Sequence, residues 1–128
     1  MKVGLVGDTH GNLDWMLYCV DKMEREGIST VIQVGDFGIW PGQTSAHNMD
    51  VFSARAKKAN QVWYVVPGNH DDYDQIDALV PNHYSSAYPL GKFRDNILLL
   101  PRGFRWKWDN TSFVALGGAP SVDRAVRV

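Results

Sequence analysis

Asp8, His10, Asp36, Asn69 and His70 all stand just past the ends of three apolar runs. Val3-Gly4-Leu5-Val6 leads into Gly7-Asp8-Thr9-His10, Val31-Ile32-Gln33-Val34 into Gly35-Asp36-Phe37, and Val62-Trp63-Tyr64-Val65-Val66-Pro67 into Gly68-Asn69-His70-Asp71. Each run reads as a buried strand, and open α/β sheets bind ligands at the carboxyl ends of their strands. A single Gly-Asp pair is ordinary turn chemistry. Three such pairs in order point to one crevice furnished with Asp, His, Asp, Asn and His. Asp8 and His10 are two apart, and in an extended segment they point to the same side, so both can reach one ion. Asp36 leaves a neighbouring strand and has two carboxylate oxygens with which to bridge two ions, while Asn69 adds a neutral carbonyl oxygen. A mixed N/O donor set suits Mn, Fe or Zn better than a metal selected by thiolates. Glycines at positions 7, 35 and 68 are expected to let the backbone turn sharply there.

The elements that must hold these residues follow from the patterning. Strand one covers Lys2–Val6. A helix from about Leu13 to Glu26 places Leu13, Met16, Leu17, Val20 and Met23 on one face, with Asn12 as its cap and Gly27 as its end. Strand two is Thr30–Val34, followed by a loop from Phe37 to Gln43 containing Gly38, Pro41 and Gly42. A second helix from about Ala46 to Ala59 turns Met49, Phe52, Ala56 and Ala59 inward and Arg55, Lys57 and Lys58 outward. Strand three is Val62–Val66, and a short helix covers Tyr73–Val80. The β–α–β–α–β order predicts an α/β fold with a mostly parallel sheet and crossover helices. Beyond it, Ile97–Leu100 reads as a short strand. The alternation of Phe104, Trp106 and Trp108 with Arg105 and Lys107, the Asp109-Asn110 turn and Ser112–Leu116 predict a C-terminal antiparallel hairpin.

The chain has 128 residues, 45% hydrophobic and 21% charged, in keeping with a single globular domain over 1–128. A formal charge of -1, from 13 Lys+Arg and 14 Asp+Glu, offers no polybasic surface for nucleic acid or an anionic membrane. The basic and aromatic residues Arg102, Arg105, Trp106, Lys107 and Trp108 have the composition of a single-strand-binding surface, but a two-faced hairpin explains them more simply. The lone Cys19 excludes an internal disulfide, and no apolar stretch approaches membrane-spanning length. The expected compartment is the cytoplasm.

Gly7-Asp8-Thr9-His10-Gly11-Asn12, Gly35-Asp36 and Gly68-Asn69-His70-Asp71, with their spacing, resemble the first three motifs of the calcineurin-like metallophosphoesterase family. Leu116-Gly117-Gly118-Ala119-Pro120-Ser121-Val122-Asp123-Arg124 resembles a mid-domain stretch of its bacterial and phage members. The second motif lacks the extended Gly-Asp-x-Val-Asp-Arg-Gly form and the third has Asp71 in place of Glu, which points away from the protein Ser/Thr phosphatase branch. The resemblance implies hydrolysis of a phosphomonoester or phosphodiester by metal-activated water, with paired ions stabilising attacking and leaving oxygens. It implies that Asp8 and His10 bind the first metal, Asp36 bridges, and Asn69 binds the second. It also implies that His70 acts as the catalytic acid or as a donor to the phosphoryl oxygen, a task suited to an imidazole. Asp71 and Asp72 are expected to be helix-entry caps, and no residue is assigned to substrate binding, although Trp40 and Tyr73 follow the ligand motifs.

The family pattern continues with a further His and a Gly-His-x-His motif. The histidines here are His10, His47, His70 and His83, and His47 and His83 are expected on loops. The resemblance therefore implies a truncated domain, half of the family's α/β sandwich. It would hold one divalent ion firmly, Mn first with Fe or Zn as alternatives, and a second weakly or not at all. Apolar surface around Trp106, Trp108, Phe113 and Val114 would then be exposed, favouring a homo-oligomer or a complementing chain. The alternative to an active hydrolase is a catalytically impaired remnant binding a metal, a nucleotide or a protein.

Overall fold

A computed structural model describes residues 1–80 and 90–118. In chain order these form β1 (Gly4–Val6), α1 (Leu13–Arg25), β2 (Thr30–Gln33), α2 (Gln43–Lys58), β3 (Val62–Val65), α3 (Tyr73–Leu79), β4 (Gly91–Arg94), β5 (Ile97–Leu99), β6 (Arg105–Trp108) and β7 (Thr111–Val114). The main sheet has the order β1-β2-β3-β5-β4, parallel except for the edge strand β4, and β6 and β7 form a separate antiparallel hairpin. This is the α/β architecture expected, a mostly parallel sheet with crossover helices and a C-terminal antiparallel hairpin.

The ends of α1 are set as the sequence predicts. The Asn12 side chain accepts from the Trp15 amide at 3.1 Å. At the other end Gly27 N–H donates to the Glu24 carbonyl and Ile28 N–H to the Met23 carbonyl, the paired bonds of a Schellman ending. Helix α2 begins at Gln43, three residues before the expected Ala46, and carries His47 on its exposed surface rather than on a loop. Arg55, expected to face solvent alone, forms 2.7 Å ion pairs with Asp21 and Glu24 and so joins α2 to α1. Strand β4 was not expected: Gly-Lys-Phe-Arg has no apolar run, and it is a strand because it pairs with the strongly apolar β5.

Both long helices lie on one face of the sheet. There Val31, Trp63 and Ile97 stand in register, as do Val6, Gln33, Val65 and Leu99, and they pack with Met16, Val20, Phe37, Met49 and Phe52. The opposite face carries Leu5, Ile32, Tyr64 and Leu98 in register. It receives the hairpin through Trp108, whose ring lies 5.3 Å from that of Tyr64. Trp106, Trp108 and Phe113, expected to be exposed, are half-buried because they stack on one another. The exposed apolar side chains among the described residues include Leu5, Val34, Val114 and Leu116. No helix among the described residues is long and apolar enough to cross a membrane. His83 and Ala119–Arg124 lie outside the described residues.

Candidate metal centre

The carboxyl ends of β1, β2 and β3 lie side by side, and backbone bonds tie the loops that leave them. Asp8 N–H donates to Gly35 O at 3.0 Å, His10 N–H to Asp36 O at 2.8 Å and Gly11 N–H to Phe37 O at 2.9 Å. The Thr9 hydroxyl, buried between Asp8 and His10, donates to Phe37 O at 2.8 Å. The Gln33 side chain closes the turn after β2, accepting from Gly35 N–H and donating to Gly35 O. Gly38 crosses Gly11 so closely that a Cβ would strike its backbone.

Asp8, His10 and Asp36 each present one donor atom, and these atoms lie within 4.8 Å of one another. His10 Nε2 is 3.5 Å from Asp8 Oδ1 and 3.9 Å from Asp36 Oδ2. Donor atoms bonded to one ion at about 2.1 Å stand about 3–4 Å apart, the range of the two distances from His10. Oxygen and imidazole donors together are the set expected for Mn, Fe or Zn.

The route to this convergence differs from the extended geometry expected. Asp8, His10 and Asp36 have φ values of 53°, 50° and 50°, the left-handed region that side chains with a Cβ enter at a cost. Such strain gathers where the surroundings dictate a functional geometry, and here it falls on the three donor residues themselves. The glycines share the work differently from expectation. Of positions 7, 35 and 68, only Gly35 has a positive φ, 112°. Gly68 is needed for close approach, because a Cβ there would collide with the Asp36 amide and carboxylate.

His70 meets Asp36 twice. Its amide donates to Asp36 Oδ1 at 2.9 Å, and its ring Nδ1 lies 3.0 Å from Asp36 Oδ2. The His70 and His10 rings meet edge-on at 5.9 Å between centroids. Burial pushes the Asp36 carboxyl up, but the amide and ring of His70, with the charge of His10, outweigh it and hold the group below the usual carboxylate range. Asn69 stands half-buried between Gly68 and His70. His47 is not among the clustered donors.

Several neighbours of the site had no sequence signal strong enough to assign them. Trp40 donates from Nε1 to the His70 carbonyl at 3.2 Å and lies against Gly11, so it links all three motif loops. Asp72 caps α3, as expected, through the Asp74 amide. Asp71 does not cap that helix; its buried carboxylate accepts from backbone amides of two motif loops. Tyr73 opens α3 and borders a cavity of about 210 Å³ with Pro67, Arg102 and Gly117. No curated protein matches the chain significantly. The family model of the calcineurin-like phosphoesterases matches residues 1–126, nearly the whole chain, and the protein therefore belongs to that family.

Proposed function

We propose that this protein is a metal-dependent phosphoesterase whose firmly held ion binds Asp8, His10 and Asp36. The observation that carries the reading is the clustering of these three donors, each in a strained left-handed conformation, at adjoining strand ends. Bound there, a divalent cation supplies charge neutralisation for a phosphoryl group and lowers the pKa of water. Asp36, kept ionised by its neighbours, contributes negative charge to the ion. His70, beside Asp36, holds a proton for the leaving oxygen or donates to a phosphoryl oxygen. Asn69 offers a carbonyl oxygen to a second ion. That second position is the weaker one, because of its two protein donors, Asp36 and Asn69, one is shared with the first ion, whereas three protein ligands are usual for a catalytic ion. The donor chemistry suits Mn, Fe or Zn, and Mn is the metal proposed first.

The test is hydrolysis of a chromogenic phosphodiester in Mn²⁺ by the native chain and by Asp36→Asn. Turnover that falls in the variant by more than the roughly 10–100-fold typical of losing an outer partner of a metal ligand supports the reading. A chain that binds Mn²⁺ but turns nothing over is the impaired remnant instead. The open apolar side chains Leu5, Val114 and Leu116 support association with a second chain. Light scattering is expected to give a mass above that of the monomer, and a strictly monomeric result removes this part of the reading.

A further inference from the structure

We propose that Asp71 is the positioning residue of the metal centre: one buried carboxylate that locks the Asp36 loop to the Asn69-His70 loop. The inference rests on the phosphoesterase reading for its functional meaning, but its geometry stands alone. Asp71 Oδ1 accepts from Gly38 N–H at 2.9 Å and Ile39 N–H at 3.0 Å. Oδ2 accepts from Gly68 N–H at 2.9 Å and Phe37 N–H at 3.3 Å. The residues donating on one side directly follow Asp36, and the one on the other side directly precedes Asn69. The Asp72 amide adds a bond of 2.7 Å to the Ile39 carbonyl.

Asp71 is only 5% exposed. A buried carboxylate is costly unless its charge is compensated, and bonds from amides to an ionised acceptor are stronger than neutral ones. Two N–H groups on each oxygen use the acceptor capacity of the carboxylate, so Asp71 does not serve as a ligand. Its work is to set, with those bonds, the distance between two loops that lie far apart in sequence. The contact between Asp36 and His70 lies across that junction, and so does the left-handed turn of Asp36. An asparagine here would keep one acceptor and aim an NH₂ group at amides that are themselves donors.

The test compares the native chain, Asp71→Asn and Val20→Ala, the last a destabilised core variant on α1, whose Val20 carbonyl accepts from Gln61 just before β3, at the end of the sheet opposite the loops. All are kept at a temperature where circular dichroism shows them folded. Mn²⁺ affinity and the electron paramagnetic resonance of bound Mn²⁺ are measured, with amide hydrogen exchange of the metal-free proteins. Asp71→Asn is expected to weaken Mn²⁺ binding about 10–100-fold, the range for outer groups that orient ligands, and to alter the resonance. The amides of Phe37, Gly38, Ile39 and Gly68 are expected to exchange faster than in Val20→Ala. Native-like affinity and resonance in Asp71→Asn, or an equal loss in Val20→Ala, overturns the proposal. If the native chain binds no Mn²⁺, the phosphoesterase reading fails, and amide exchange alone decides whether Asp71 locks the loops. Should Asp71→Asn not fold, Asp71→Glu carries the same comparison, since the longer chain keeps the charge but displaces the oxygens.

Discussion

The two faces of the central sheet differ sharply. On the helix-covered face Val31, Trp63, Val65, Ile97 and Leu99 are fully buried. On the other, Leu5 is 68% exposed although it stands in register with Ile32, at 5%. The first face is closed by α1 and α2, which meet each other as well as the sheet. The second is covered by a two-stranded hairpin, which brings Trp108 to Tyr64 but leaves Leu5 of β1 exposed. The donor residues sit at the strand ends where these layers meet, and the loops carrying them run into the closed side. Phe37 and Ile39, directly after Asp36, are fully buried in that core. The lesson is that the helix side anchors the loops that carry the candidate donors, whereas the hairpin covers part of the opposite face.

The comparison breaks or holds on substitutions placed on each face. Trp63→Ala is expected to have the largest effect, about 3–5 kcal/mol of lost stability in denaturant. It opens a cavity among Phe37 and Phe52 and strips Gln61 Oε1 of its 2.9 Å partner. Trp108→Ala on the hairpin is expected to cost about 1–2 kcal/mol, the scale of a partly exposed aromatic contact, and to leave Mn²⁺ affinity unchanged. Equal losses from the two, or a lower Mn²⁺ affinity in Trp108→Ala, would contradict the division between the faces.

The smallest effect is read in acid. Asp36 has a folded-state pKa below its ordinary value of 3.8. The native state therefore binds fewer protons than the unfolded chain in that range, so this contribution to stability is present above pH 3.8 and is lost as pH falls through the lowered value. Metal-free native protein should thus lose stability more steeply with acid than Asp36→Asn does. Identical acid profiles would mean that His70 and His10 do not hold the carboxylate as the geometry indicates.

Much of the scaffold was readable from residue patterns. Apolar runs, the Asn12 cap and the Gly27 ending are local signals, and β1, α1, β2, β3, α3 and the hairpin fall where those signals lie. Strand β4 and the early start of α2 were not readable. The first depends on a partner strand, and the second begins in Gln43-Thr44-Ser45, which has no apolar periodicity. Asp8, His10 and Asp36 were identifiable as donors from type and spacing, but their left-handed backbones were not. Those conformations are imposed by bonds to Gly35, Asp36 and Phe37, about thirty residues along the chain.

Asp71 shows the same limit more strongly. Beside His70 it looks like a helix cap, and its neighbour Asp72 is one. By itself the sequence determined which residue types stand at the strand ends, and through them the family and the class of chemistry. The tertiary structure alone decided that three donors converge, that His70 lies against Asp36 and that Asp71 joins two loops. The physical reason is that strand ends and helix caps are written in neighbouring residues, whereas a carboxylate's partners are whichever amides the folded chain brings within about 3 Å of it.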